Sequence, residues 1–431
     1  MTRNAQEDKA TAGPAERAFV LHPDIQTDRD RRDAATGLAE AVALAEALPG
    51  LEIVGSEIVS VRTPQPGTLF GSGKLEELGA RFKAAEVGLV LVDGPVTPVQ
   101  QRNLEKEWGV KLLDRTGLIL EIFADRAATR EGVLQVELAA LSYQRTRLVR
   151  AWTHLERQRG GLGFVGGPGE TQIEADRRAI DEAITRIRRQ LDKVVKTRAL
   201  HRASRAKVPF PVVALVGYTN AGKSTLFNRL TGAEVLVKDM LFATLDPTMR
   251  GVTLTTGQKI ILSDTVGFIS DLPTQLVAAF RATLEEVLSA DLILHVRDIS
   301  HPGSEEQAED VEAILHDLGV ADETPRLEVW NKMDLVPEDR RPALEVLAER
   351  RPEVLTLSAV TGAGLDQLVA RVTEALDGVR TDETLHLAFS EGRRHAWLHE
   401  AHVVTAERQG EDGWEIDLRW TARQRAAFER L

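Results

Sequence analysis

Apolar residues recur along the chain in two alternating patterns: short β-branched runs, and longer stretches with apolar positions three or four residues apart. The first pattern is typical of buried strands and the second of helices that bury one face. Their alternation predicts an N-terminal α/β domain with a parallel sheet over residues 17–126. Its expected strands cover 18–22, 51–61, 88–92 and 110–113, and its expected helices 34–48, 75–85, 97–108 and 117–124. Residues 1–16 lack periodicity and are predicted to be a disordered tail.

Two long helical patterns follow, one over residues 133–155 and one over residues 173–194. They predict an antiparallel helical hairpin over residues 127–207, which we call the arm. Thr171 and Glu174 have the spacing of a capping box, so the second helix is expected to begin next to Thr171.

The strand predicted at 212–216 leads directly into the motif G-x-x-x-x-G-K-S, and a helical pattern follows at 225–230. In this context the motif forms a phosphate-binding P-loop, because its backbone N–H groups and the helix N-terminus face the phosphates. Lys223 is expected to reach the β- and γ-phosphates, and the Ser224 hydroxyl to bind Mg²⁺. The predicted nucleotide-binding residues of this loop are Gly217, Tyr218, Thr219, Asn220, Ala221, Gly222, Lys223 and Ser224.

A strand predicted at 257–262 leads to a D-x-x-G motif, whose residues are Asp264, Thr265, Val266 and Gly267. Asp264 can hold Mg²⁺ through a water molecule, and the N–H of Gly267 can contact the γ-phosphate. Because such a loop is ordered by the γ-phosphate and released without it, it can act as a switch.

Two later motifs indicate which base is bound. A strand predicted at 327–330 ends in N-K-x-D, with the residues Asn331, Lys332, Met333 and Asp334. The Asp334 carboxylate can accept hydrogen bonds from both N1–H and the exocyclic amine of guanine, a donor pair that adenine lacks. Lys332 can cover the base, and Asn331 can tie this loop to the P-loop. After a strand at 354–357, a backbone N–H can donate to guanine O6 from the segment Ser358, Ala359 and Val360.

These motifs occur in a fixed order, each at the end of an apolar strand. Ligands of doubly wound sheets bind at the C-terminal ends of the strands. The sequence therefore predicts a GTP-binding domain over residues 208–377, with a doubly wound, mostly parallel sheet.

One more oxygen ligand for Mg²⁺ is expected between the P-loop and Asp264, and the candidates are Thr231, Thr244 and Thr248. Thr231 is too near the end of the P-loop helix, so we select Thr244 and keep Thr248 in reserve. The nucleotide-binding residues of this segment are predicted to be Phe242, Ala243, Thr244, Leu245 and Asp246. The candidate catalytic residues are Lys223, Thr244 and Gly267.

The residue after Gly267 is Phe268, where many GTPases have a glutamine that orients the attacking water. Because an apolar side chain cannot polarise water, hydrolysis is expected to be slow until a partner positions the water. Asp271 could assist, although a solvated turn residue is the simpler interpretation.

Charge changes the picture at the arm. The whole chain has a net charge of −12, which disfavours nucleic acid as a partner, but residues 130–207 carry 17 basic and 9 acidic side chains. Residues 160–169 include six glycines. An Arg-rich arm with a flexible tip suits contact with folded RNA. The alternatives are that the basic arm grips another protein, or that it is a hinge. The predicted RNA contacts are Arg157, Arg159, Gly160, Gly161, Gly163, Phe164, Gly166, Gly167, Gly169, Arg177 and Arg178.

Several absences narrow the class of protein. The chain has no cysteine, which excludes disulfides and thiolate metal sites. The first residues lack the apolar region of a secretory signal, and no apolar run is long enough to span a membrane. We therefore expect a cytoplasmic protein, monomeric when free.

Residues 69–74, with the sequence L-F-G-S-G-K, faintly resemble a phosphate loop. They lack the full P-loop spacing, so a turn followed by a helix start is the favoured interpretation. A second nucleotide or RNA contact through Lys74 is the alternative.

With these residues in view, the chain resembles the HflX family of translational GTPases. The likeness covers the N-terminal part, the Gly-rich arm followed by residues 170–174, and the motifs at 242–248 and 264–269; the arm motif is the most specific. The resemblance implies Mg²⁺-dependent GTP hydrolysis stimulated by ribosomes, binding to the large ribosomal subunit and its rRNA, and splitting of stalled ribosomes.

Residues 378–431 are predicted to form a small α+β domain, with strands at 384–389 and 414–420 and a helix at 392–398. Its tryptophans are expected in the core; they are Trp397, Trp414 and Trp420. Two other functions compete with a ribosomal GTPase. A small-molecule kinase would leave residues 331–334 unexplained, and a GTP-dependent assembly or scaffold protein would grip a protein through the arm.

Overall fold

The computed structural model describes most of the chain. The described residues are 15–27, 33–158, 168–205, 210–232, 241–242, 244–245, 248–254, 257, 259–270, 286–321, 324–377, 380–401, 403–410 and 412–429.

A parallel sheet with strand order β2-β1-β3-β4 forms the N-terminal part, as the alternating pattern predicts. β3 is buried along its whole length, which explains its uninterrupted apolar sequence. Thr97 and Gln100 form a capping box at the start of α3. The elements are β1 (Glu16–Ile25), α1 (Ala34–Glu46), β2 (Leu51–Val61), α2 (Ser72–Ala84), β3 (Leu89–Val92), α3 (Pro98–Trp108), β4 (Lys111–Asp114) and α4 (Arg115–Arg126).

The arm consists of α5 (Arg130–Gln158) and α6 (Pro168–Arg205), which pack against each other. Arg145 of α5 and Asp181 of α6 form an ion pair at 2.7 Å. The prediction that α6 begins next to Thr171 is wrong, because the helix already begins at Pro168. Proline lacks an N–H group and its φ is fixed near the helical value, so it is well tolerated in the first turn.

A six-stranded sheet, ordered β10-β9-β8-β5-β7-β6, forms the next part; β6 runs antiparallel to its neighbour and the other pairings are parallel. This confirms the doubly wound, mostly parallel sheet. The strand β6 was not predicted, because its sequence T-M-R-G-V-T lies at the sheet edge and has no apolar run. The elements are β5 (Val212–Val216), α7 (Lys223–Thr231), β6 (Thr248–Thr253), β7 (Lys259–Asp264), β8 (Leu292–Asp298), α8 (Ser304–Asp317), β9 (Arg326–Asn331), α9 (Arg341–Glu349), β10 (Val354–Thr356) and α10 (Leu365–Asp377).

The C-terminal part is an antiparallel sheet of order β11-β13-β12, covered by two helices. Trp420 is buried in its core, and Trp397 and Trp414 pack against that core partly buried. The predicted α+β class is correct. The elements are β11 (Arg380–Ala388), α11 (Gly392–Glu400), β12 (Val404–Gln409), β13 (Gly413–Thr421) and α12 (Ala422–Glu429).

One hydrophobic cluster joins the N-terminal part to the part with the six-stranded sheet. The first contributes Ile119 and Phe123 of α4, and the second contributes Leu245 and Phe268. Phe123 lies edge-on to Phe242, with the ring centroids 4.7 Å apart. The residues on both sides of Thr244, and those directly after the D-x-x-G motif, are therefore packed against the N-terminal part. Among the helices of the described residues, none has the length and apolar composition that crossing a membrane requires.

Candidate nucleotide-binding site

The P-loop connects β5 to α7 at the C-terminal end of the central strand. Gly222, at φ +94°, is required here: a Cβ on it would lie 2.2 Å from Nδ2 of Asn331. α7 begins at the next residue, so its first N–H groups, which lack partners within the helix, belong to this loop. The sequence-predicted loop thus has the strand, turn and helix order that phosphate binding requires.

Lys223 is buried, and its Nζ donates to the carbonyl oxygens of Gly217 at 3.0 Å and Tyr218 at 2.8 Å. Burial lowers the pKa of Lys223 to about 8, although the nearby Asp264 carboxylate favours the charged form. The ammonium group is thus held inside the loop by the backbone that surrounds it.

The structure brings together the three predicted Mg²⁺ ligands. Ser224 Oγ donates to Asp264 Oδ2 at 2.7 Å, and Thr244 Oγ1 lies 2.9 Å from both of those atoms. Burial raises the pKa of Asp264, against the opposing effects of Lys223 and the two hydroxyls.

This cluster fits a small, hard cation. Its ligand atoms are all oxygens, which Mg²⁺ prefers. Among the described residues, the buried Oδ1 of Asp264 has no hydrogen-bond partner, so a carboxylate oxygen is available beside the two hydroxyls. The rejected candidate Thr231 donates to the carbonyl of Phe227 in its own helix, and Thr248 lies on β6 in register with Asp264. Ala243 and Asp246 lie outside the described residues.

The D-x-x-G loop is joined directly to the P-loop. Phe268 N donates to Gly217 O at 3.1 Å, and Thr219 N donates to Phe268 O at 2.7 Å. Gly267 packs so tightly that a Cβ there would lie 2.8 Å from Thr219 Cα and 3.0 Å from Lys223 Nζ. The Phe268 side chain is fully buried in the shared cluster, as expected of an apolar residue, and Asp271 lies outside the described residues.

Thr265 and Val266 attach this loop to the protein interior. Thr265 Oγ1 donates to Leu215 O at 2.6 Å, and Val266 is buried. Their side chains therefore fix the loop to β5 rather than face a ligand.

Asn331 joins the three loops at the strand ends. Its Nδ2 donates to Ala221 O at 2.8 Å, and its Oδ1 accepts from Ala359 N at 2.9 Å. Lys332, in left-handed backbone at φ +64°, pairs with Asp298 at 2.8 Å. The Ser358 N–H donates to Ala363 O within its own turn.

The other residues of the base-recognition loops are more accessible. Met333 and Asp334 are half-buried in a 3-10 turn, where Asp334 O accepts from Arg341 at 2.9 Å. Val360 is exposed. Asn331 thus holds the P-loop, the N-K-x-D turn and the 358–360 turn next to one another at the strand ends.

A polar network that the sequence did not predict links this site to the N-terminal part. Tyr218 of the P-loop donates its hydroxyl hydrogen to Glu40 of α1 and accepts from Ser270 N at 2.7 Å. Ser270 Oγ donates to Glu40 at 2.6 Å, and Arg115 of α4 donates to Ser270 O at 3.0 Å and Ser270 Oγ at 2.9 Å. Arg115 also pairs with Glu40. We call Glu40, Arg115, Tyr218 and Ser270 the interdomain network.

Charge balance holds this network together in the interior. Burial opposes the charged form of Arg115, but Asp93, at 2.6 Å, and Glu40 raise the pKa of Arg115 above its ordinary value. Burial, with Glu40 beside the hydroxyl, raises the pKa of Tyr218, so the phenol stays protonated and donates.

The base of the arm lies next to the interdomain network. Asp114, the residue before Arg115, accepts from the Tyr143 hydroxyl at 2.5 Å and from Arg147 at 2.8 Å, and both donors belong to α5. Arg177 and Arg178 are exposed on α6. Arg159 and residues 160–167 lie outside the described residues, and only the backbone is described for Arg157 and Gly169.

Residues 69–74 have the geometry of a turn and helix start. Leu69 and Phe70 are buried, α2 begins at Ser72, and Lys74 pairs with Glu57 and, at 2.7 Å, with Glu77. Because two carboxylates already surround the Lys74 ammonium, the structure favours the structural interpretation of this segment.

Four family models match successive parts of the chain. Their descriptions are GTP-binding GTPase N-terminal over residues 35–124, GTP-binding GTPase Middle Region over 126–205, 50S ribosome-binding GTPase over 212–332 and HflX C-terminal domain over 343–431.

Relatives match over most of their length as well. GTPase HflX of Magnetococcus marinus is 51% identical over 88% of this chain and 87% of its own. GTPase HflX of Escherichia coli is 45% identical over 94% of this chain and 93% of its own. The crystal structure of an SsGBP and GDP complex is similar at a TM-score of 0.49 and 24% identity, over 83% of this chain and 98% of that one.

Proposed function

Because the chain belongs to the HflX family of GTPases, we propose that it binds the large ribosomal subunit and couples GTP binding and hydrolysis to the dissociation or rescue of ribosomes. The match of residues 212–332 to a 50S ribosome-binding GTPase supports this partner. The observation that carries the coupling is a continuous series of contacts from the D-x-x-G loop to the base of the arm.

The geometry of the loops supports the nucleotide roles. Lys223 would contact the β- and γ-phosphates, while Ser224, Thr244 and, through water, Asp264 would hold Mg²⁺. When bound, Mg²⁺ neutralises charge on the phosphate oxygens. The N–H of Gly267 contacts the γ-phosphate, and the turns at 331–334 and 358–360 hold the guanine.

The switch reaches the arm in three steps. Ser270 follows Gly267 by three residues, so a displacement of the D-x-x-G loop displaces the hydroxyl and carbonyl that Arg115 holds. Asp114 directly precedes Arg115 in the chain, so a shift of Arg115 also shifts Asp114. Asp114 in turn holds Tyr143 and Arg147 of the arm.

The segments divide this work. Residues 208–377 bind the nucleotide, residues 17–126 supply Glu40 and Arg115 of the interdomain network, and the arm at 127–207 contacts rRNA through the residues predicted from its sequence. Residues 378–431 form a separate C-terminal domain. The protein acts in the cytoplasm and is monomeric when free.

The proposal predicts that purified large ribosomal subunits raise GTP turnover by at least about 10-fold, because Phe268 leaves the positioning of the attacking water to a partner. The protein should also cosediment with the large subunit, and this binding should weaken steeply as salt rises, since Arg side chains contact phosphates. Turnover assays and sedimentation over a salt series measure both. Absence of stimulation and of cosedimentation would refute the proposal, and binding insensitive to salt would favour the protein-gripping scaffold.

The coupling route is tested by Glu40→Gln. The amide keeps the shape but removes the charge that holds Arg115, so we expect stimulation by large subunits to fall about 10-fold while basal turnover stays within about two-fold. Glu46→Gln, an exposed position on the same helix, is the matched control and should behave as wild type. Full stimulation of Glu40→Gln would refute the route while leaving the ribosomal partner intact.

A further inference from the structure

Three side chains of the C-terminal part converge away from the nucleotide site. His395 and His399 are one helical turn apart on α11, and Glu407 faces them from β12. The Nε2 atoms of the two histidines are 3.3 Å apart. His395 Nε2 lies 2.9 Å from Glu407 Oε1, and His399 Nε2 lies 2.8 Å from Glu407 Oε2.

This spacing matches a tetrahedral metal site. With metal–nitrogen bonds of about 2.0–2.1 Å, two ligands of a tetrahedral Zn²⁺ ion lie roughly 3.3 Å apart. The two Nε2 atoms already have that separation. The Glu407 oxygens are about 0.5 Å closer to them than the tetrahedron requires, an adjustment that rotation of a glutamate side chain provides.

Packing fixes the His395 ring and the helix that carries both histidines. The His395 ring stacks on Trp414, with centroids 4.1 Å apart and planes at 13°. Trp414 is held on another side by Phe389, at 4.9 Å. Leu398, between the two histidines, is buried and anchors α11 to the sheet.

The ligand atoms are also of the right kind. The Glu407 carboxylate lies within 2.9 Å of both imidazoles, so a cation among the three side chains would have two nitrogen ligands and one carboxylate ligand.

We propose that His395, His399 and Glu407 bind a divalent first-row transition metal, with Zn²⁺ as the ion that best fits two imidazoles and one carboxylate. Mg²⁺ and Ca²⁺ prefer ligand sets of oxygen only, so this site is chemically distinct from the cluster around Ser224. Three protein ligands leave a fourth position for water or for a side chain of a partner. The ion would connect α11 to β12, and the inference does not depend on the proposed function.

The test is a Zn²⁺ titration of the full chain after chelator treatment, with excess Mg²⁺ present to occupy the nucleotide site. Calorimetry should give one Zn²⁺ per chain. His399→Gln and Glu407→Gln should each weaken binding at least about 100-fold, because each removes a ligand. His386→Gln, an exposed histidine on β11 at the opposite edge of the sheet from β12, should bind as tightly as wild type.

Co²⁺ provides an independent readout, since tetrahedral Co²⁺ has an intense visible absorption that octahedral Co²⁺ in water lacks. The wild type should develop this spectrum with one equivalent of Co²⁺, and the two ligand variants should not. Circular dichroism in chelator establishes that the variants are folded. Absence of a one-to-one Zn²⁺ site in wild type, or wild-type affinity in His399→Gln, would overturn the proposal.

Discussion

Lys223→Ala should reduce GTP hydrolysis by at least about 1000-fold. The ammonium group lies inside the P-loop, where water is excluded and its charge acts strongly on the phosphates. Removing one preorganised donor from such a site typically costs about 100- to 1000-fold in rate, and Lys223 also contributes to ground-state binding of the nucleotide. Single-turnover hydrolysis, together with titration of a fluorescent GTP analogue and Mg²⁺, measures the two effects separately.

A matched control distinguishes this effect from loss of a lysine in general. Lys259→Ala removes an exposed lysine at the opposite end of β7 from Asp264, so it should leave turnover unchanged. Thermal unfolding without nucleotide establishes that Lys223→Ala is folded, since the carbonyls of Gly217 and Tyr218 lose their donor. Wild-type turnover and affinity in Lys223→Ala would contradict the assignment of the P-loop.

The strands that could be predicted from sequence are those whose own residues carry a clear pattern. The sequence predicts β5 with its observed bounds because every one of its residues is apolar, and it predicts β2, a partly exposed edge strand, because β-branched residues recur along it. β6 and β12 could not be predicted, because most of their side chains face solvent and neither strand has an apolar run. Such strands form because a neighbouring strand offers backbone hydrogen bonds, and their own sequence shows no hydrophobic pattern that would reveal them.

The functional site likewise has parts that the sequence could locate and parts that it could not. The nucleotide loops are local motifs whose geometry depends on a few consecutive residues, such as Gly222, so the sequence was enough to locate them. The interdomain network depends on Glu40 meeting Ser270, 230 residues away, and no spacing rule indicates that pairing. Tyr218 was placed in the P-loop, but its role as a link to α1 appears only when the two sheets are packed together.

Asp334→Asn should change which base the protein selects. The Asp334 carboxylate is assigned two hydrogen bonds, from N1–H and the exocyclic amine of guanine. An asparagine oxygen can still accept from N1–H, but its NH₂ group then faces the guanine amine, so a charge-assisted bond worth about 1.5–3 kcal/mol is replaced by two opposed donors. The affinity for GTP should therefore fall by about 100-fold.

Xanthosine triphosphate provides the decisive comparison, because xanthine has a carbonyl where guanine has the exocyclic amine. The asparagine NH₂ can donate to that carbonyl, so Asp334→Asn should prefer xanthosine triphosphate, whereas the wild type prefers GTP. Competition titrations with both nucleotides measure the ratio, and Asp339→Asn, an exposed aspartate five residues later, is the control that should keep the wild-type preference. If Asp334→Asn still preferred GTP, the carboxylate would not be the group that reads the base, and selection would have to come from the backbone amides at 358–360.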